Sequence, residues 1–141
     1  MTESWWSPDG PWLHGLPGTC TLDQLLEHRP SGSLVFELDG QRMRDHDVLF
    51  NEFASKLNFP DYFGRNWPAL SDCLEDMLWF DEASCFLLII ERSAQVLANA
   101  PVDLPVFKRI LSDVGSHWGS LGYDGTGRTR IAFNTVMLGE V

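Results

Sequence analysis

Between Trp67 and Glu82 the chain carries five carboxylates, Asp72, Glu75, Asp76, Asp81 and Glu82, and no Lys or Arg. Carboxylates at this density have three chemical uses: proton transfer, metal ligation and capture of a cation. Asp72 and Asp76 stand one helical turn apart, so both can face one substrate, ion or partner. Hydrolytic metal sites draw His or further carboxylates from other elements, and the four histidines, His14, His28, His46 and His117, are scattered. A nucleophile is no better supported. Gly115-Ser116-His117-Trp118-Gly119 holds its Ser in the wrong place for a nucleophile elbow, and helical spacing precedes it. Gly122-Tyr123-Asp124-Gly125-Thr126-Gly127-Arg128 lacks the Gly-Lys-Ser/Thr ending of a phosphate cradle and leads into a strand. No cofactor or metal is expected, and cation capture is the use that remains. A small carboxylate-dependent hydrolase is the alternative.

The elements that position these groups are legible from spacing. Asn66 is an N-cap, and Pro68 falls in the first helical turn, where its missing N–H has no partner to lose. Leu70, Cys73, Leu74, Met77 and Leu78 form a buried stripe, which turns Ser71, Asp72, Glu75 and Asp76 toward solvent. Upstream, Leu34 to Leu38 has strand character, and Asp39-Gly40 is a turn. Asp45 or Asp47 caps a helix in which Val48, Leu49, Phe53 and Leu57 keep helical spacing. An aromatic loop joins the two helices. Downstream, Cys85 to Ile90 is an apolar run of strand length, as a strand covered on both faces requires. Asp103 and Pro105 open a helix with Phe107, Ile110, Leu111 and Val114 on its apolar face, and Ile131 to Val136 ends the domain as a strand. The order β-α-α-β-α-β predicts an α/β fold with a small three-stranded parallel sheet.

Residues 1–33 differ in composition, being rich in Trp, Pro and Gly, with one helix signal in the capping box Thr21-Leu22-Asp23-Gln24. They are read as an extension whose tryptophans fold back over a core edge, ahead of a main domain at 34–141. At 141 residues the chain is long enough for a real core. Its net charge of -10 disfavours nucleic acid and anionic membranes, both of which need Lys and Arg, and suits a basic protein. Cys20, Cys73 and Cys85 are odd in number and widely spaced, and Met1 is not followed by a basic and then apolar leader. Both features predict free thiols in the cytoplasm.

A solvated helix exterior is the simpler reading of an isolated acidic face. Two features shift the balance: Asp72 and Asp76 repel one another at i, i+4, and Tyr62, Phe63 and Trp67 stand beside them as interface anchors. A third is a likeness. From Asp39-Gly40 through Leu74, with the loop Pro60-Asp61-Tyr62-Phe63-Gly64-x-Asn66 and the helix Ala69-Leu70-x-Asp72-Cys73-Leu74, the chain resembles the barstar family of intracellular ribonuclease inhibitors. The resemblance implies a barstar-like fold and a partner that is a basic ribonuclease or nuclease-type toxin. It implies Asp72 as the plug of the nuclease phosphate site and Tyr62 and Phe63 as aromatic contacts. Asp61, Arg65, Asn66, Trp67, Ser71, Glu75 and Asp76 fall on the same surface, and Asp113 is a further acidic contact. The chain departs from the family at Pro68, often acidic there, at Ser71, aromatic in barstar, and at Arg65, usually neutral or acidic. A barstar-like adaptor for a non-nuclease protein is the remaining alternative.

Overall fold

The computed structural model describes residues 4–77, 83–120 and 130–139. Leu78, Asp81, Glu82 and the Gly-rich stretch 122–128 lie outside the described residues. Strands β1 (Leu13–Leu16), β2 (Ser33–Asp39), β3 (Cys85–Glu91) and β4 (Phe133–Leu138) form one parallel sheet in the order β1-β4-β3-β2. Helices α1 (Leu22–Leu26), α2 (His46–Leu57), α3 (Trp67–Asp76) and α4 (Leu104–Gly119) connect and cover it. The expected β-α-α-β-α-β order is present from β2 onward. The sheet has four strands rather than three, because β1 of the N-terminal segment pairs with β4 in register Leu13 to Thr135.

The central strand explains its own sequence. Side chains alternate across a strand, so Phe86, Leu88 and Ile90 of β3 enter a core shared with α2, α3 and α4. Leu87 and Ile89 point the other way, into a second cluster with Leu25, Val136 and Leu138. Two covered faces leave no polar position, which is why the run has none.

Residues 5–26 supply much of the cover on that second face. Trp5, Trp6, Leu16, Cys20, Leu22 and Leu26 pack there, so the tryptophans Trp5 and Trp6 fold inward as expected. The buried amide of Asn134 in β4 is satisfied by the same segment: its Nδ2 donates to the carbonyls of Trp5 at 3.0 Å and Ser7 at 2.9 Å, and its Oδ1 meets His14 Nε2 at 3.1 Å. Trp12 reaches α4 only because Gly115 is there. A Cβ at Gly115 would stand 2.3 Å from Trp12 Cβ, closer than any real contact.

Helix termini follow the sequence signals. Thr21 and Gln24 form a reciprocal capping box at α1. Asp45 occupies the N-cap of α2, although its side chain makes no cap hydrogen bond. Val48 does not belong to the apolar face of α2, being 42% exposed; Leu49, Phe50, Phe53 and Leu57 are the buried set. Buried among them, Glu52 accepts from the Asp39 amide through Oε2 at 2.9 Å, which ties α2 to the end of β2. Cys73 and Cys85 are buried free thiols, as expected, and Cys20 is a half-buried one. No helix among the described residues is long and apolar enough to cross a membrane.

Candidate functional site

The loop between α2 and α3 is built by backbone hydrogen bonds before any side chain is exposed. Asn58 ends α2 in the left-handed conformation at φ 55°, which Asn tolerates well. The Phe59 amide then donates to Ala54 O and the Phe63 amide to Pro60 O, each at 3.0 Å, closing a tight turn. At the far end Asn66 acts twice. Its Oδ1 accepts from the Ala69 amide at 2.8 Å, the N-cap bond, and its Nδ2 donates to Gly64 O at 3.3 Å. One side chain thus starts the helix and pins the loop.

Aromatic packing holds this loop to the core. Phe63 is buried at 8% exposure, edge-on to Phe59 at 4.9 Å and to Phe50 at 6.1 Å. Phe50 also meets Trp67 at 5.0 Å, and Trp67 lies 6.1 Å from Phe107 of α4. Each such pair adds about 0.5–1.5 kcal/mol beyond burial, so the chain of rings is a stiff pedestal. Phe63 and Trp67 belong to it, Trp67 remaining half-exposed. Tyr62, the neighbour of Phe63, is 78% exposed and projects outward. Phe50 is the hub that the sequence reading passed over, although its spacing to Phe53 and Leu57 on α2 was a usable signal.

The acidic face lies directly beyond. Asp72 is exposed, and Ser71, Glu75 and Asp76 are half-exposed, while Leu70, Cys73 and Leu74 turn inward. Among the described residues, no cation engages Asp61, Asp72, Glu75 or Asp76. Burial pushes the Cys73 thiol above its ordinary value, and the charges of Asp72 and Asp76 push it further. The far end of α3 is fastened where Trp118 Nε1 donates to Leu74 O at 2.9 Å. Asp113 is exposed on α4 and pairs with Arg109 one turn away at 3.9 Å.

Asp61, Arg65, Phe59, Pro60 and Phe63 border a hollow of about 390 Å³ whose far wall is Asn51, Ala54 and Ser55 of α2. Asn51 and Ser55 carry no local signal and approach the loop only through the fold. Among the described residues, no group of three or more His, Cys, Asp or Glu is arranged to hold a metal ion.

The arrangement is an outward-facing set of acids, unpaired among the described residues, and one large aromatic on a packed base. The family model described as barstar (barnase inhibitor) matches residues 33–136, from β2 into β4. The chain belongs to the barstar family. A "Putative ribonuclease inhibitor YrdF" of Bacillus subtilis (strain 168) is 46% identical over 44 residues, which is 31% of this chain. The chain spans about half the length of that relative, 46% of it. The barstar model includes the loop, α3 and α4, and begins after β1 and α1.

Proposed function

We propose that this protein is a barstar-like inhibitor that binds a basic ribonuclease or nuclease-type toxin and covers its phosphate-binding site with the acidic face of α3. The observation that carries this reading is the exposure of Asp72 with no cation beside it among the described residues, next to a Tyr62 that is 78% exposed on a packed aromatic base. A carboxylate presented on a rigid helix can replace a substrate phosphate for Lys and Arg groups, because charge-assisted hydrogen bonds suit either anion. Stiffness matters as much as charge, since side chains already in place lose little freedom on binding.

In this reading Asp72 is the plug, Glu75 and Asp76 extend its field, and Tyr62 and the exposed edge of Trp67 supply apolar contact. Asn66 and Phe63 position these groups from below. Ser71 and Asp61 complete the rim, and the exposed Asp113 of α4 is a further acidic contact. Occlusion needs no catalytic step, so the protein acts without turnover and without a cofactor.

The test is inhibition of small basic ribonucleases, beginning with any encoded beside this chain. A cognate nuclease should be inhibited stoichiometrically at nanomolar protein, with association slowing as salt rises from 0.05 to 0.5 M and dissociation changing less. An association rate indifferent to salt would exclude electrostatic capture.

A further inference from the structure

The site contains one group that contradicts a uniformly cationic partner. Arg65 is the only Lys or Arg between Phe59 and Met77. It stands one residue before the N-cap of α3, exposed, with φ at 53° in the left-handed region where a long side chain costs more than Gly or Asn. No described residue engages its guanidinium, although Asp61 borders the same hollow. The loop that carries it is held by the Asn66–Gly64 bond and by the Phe63 turn, so it cannot swing away freely. From Asn66 to Asp72 is six residues of helix, about 9 Å along the axis. A partner that seats Asp72 therefore meets Arg65 about two side-chain widths away.

We propose that Arg65 is a specificity-determining residue: the cognate partner carries a carboxylate opposite Arg65, beside the cationic pocket that receives Asp72. The proposal rests on the acidic-face reading given above and adds a second, opposite charge to it. The hollow of about 390 Å³ beside Arg65, walled by Asn51, Ser55, Phe59 and Pro60, gives such an acidic side chain room and amide and hydroxyl partners. A partner with Lys or Arg there would face a fixed like charge in a desolvated interface, and repulsion of that kind excludes wrong partners efficiently. The occupant is thus a protein with a bipolar surface, cationic at its centre and acidic on one side.

The probe is barnase, a basic ribonuclease, titrated with wild-type protein, Arg65→Glu and Arg42→Glu, each with and without Asp72→Ala. Arg42→Glu changes net charge equally, but at an exposed position on the short turn after β2. Arg65→Glu should bind at least tenfold tighter than wild type at 0.15 M salt, and Arg42→Glu within threefold of it. A gain for Arg65→Glu no larger than that for Arg42→Glu, including no measurable binding by either, overturns the proposal. The crossed arm uses barnase in which single Lys or Arg residues at the active-site rim are changed to Glu. At least one should bind wild type more tightly and Arg65→Glu less tightly, and the absence of any crossing overturns the proposal. The Asp72→Ala forms separate the two ideas. If they lose affinity while Arg65→Glu and Arg42→Glu stay equal, only the role of Arg65 fails. If Arg65→Glu gains affinity while Asp72→Ala costs none in either background, Arg65 stands and the plug reading fails.

Discussion

Truncating Phe63 separates a pedestal from a contact. The ring is 92% covered, given its 8% exposure, and packs edge-on against Phe59 and Phe50. Phe→Ala in a core costs about 3–5 kcal/mol, and a ring at the margin of the core belongs at the lower end, about 3 kcal/mol. With a urea dependence of about 2 kcal/mol per M for a domain of this size, the midpoint of Phe63→Ala should fall by about 1.5 M with its slope unchanged. Tyr62→Ala, one residue away, should cost no more than about 0.5 kcal/mol, because its side chain is 78% exposed. Equilibrium urea unfolding followed by far-ultraviolet circular dichroism reads both. If Phe63→Ala lost less than about 1 kcal/mol, or no more than Tyr62→Ala, the ring would not be supporting the loop, and the division of labour between the two aromatics would be refuted.

Asn66→Ala removes the cap bond to Ala69 and the tie to Gly64 together, and should cost about 1 kcal/mol in the same assay. Gly115→Ala forces Trp12 off α4, so the Thr135 amide, which donates to Trp12 O at 2.9 Å, should lose hydrogen-exchange protection more than the amides of β2 do. Burial holds the thiols of Cys73 and Cys85 above their ordinary values. Their stability contribution is present below the ordinary thiol range and lost above it, and iodoacetamide should label neither cysteine at pH 8 until urea unfolds the chain. The Arg92 hydrogen bond holds the Asp39 carboxyl below its ordinary 3.8, so its contribution is complete above pH 4 and disappears as pH falls through the lowered value. Arg92→Ala should flatten that part of the acid-unfolding curve, as read by midpoints between pH 4 and pH 2.

The parts of the fold that were legible are those whose signals are local. Asn66, Pro68 and the stripe Leu70, Cys73, Leu74 and Met77 define α3 without outside help. The run from Cys85 declares a doubly covered strand. β1 was not legible, because Leu13–Leu16 is four residues long with His and Gly at its centre, and its partner β4 lies more than a hundred residues away. Its place depends on Gly115 leaving room for Trp12, a fact of packing and not of propensity. At the candidate site, the Asn66 cap and the solvent-facing side of α3 were legible. The directions of its aromatics were not: Tyr62 and Phe63 are adjacent in a loop with no periodicity, and only the turn from Pro60 to Phe63 decides which of them faces inward. Phe63, expected as a contact, is placed in the pedestal for that reason. Val48 stays on the surface because helical geometry, at about 100° per residue, sets it on the side of α2 opposite Phe53 and Leu57.

The central claim is that Asp72 on α3 closes the active site of a basic nuclease. The measurement that bears on it most directly is a ribonuclease assay run across a panel of small basic ribonucleases with wild-type protein and Asp72→Ala in parallel. Exposed, and with no cation beside it among the described residues, Asp72 makes no contact there that alanine would remove, so the unfolding midpoints should agree. In the complex its loss leaves the nuclease cations desolvated and unmatched, at a cost of about 2–5 kcal/mol, or at least a thirtyfold rise in inhibition constant. Wild type should inhibit at least one ribonuclease stoichiometrically at nanomolar concentration, and Asp72→Ala should show that loss. Equal inhibition by both proteins would contradict the claim.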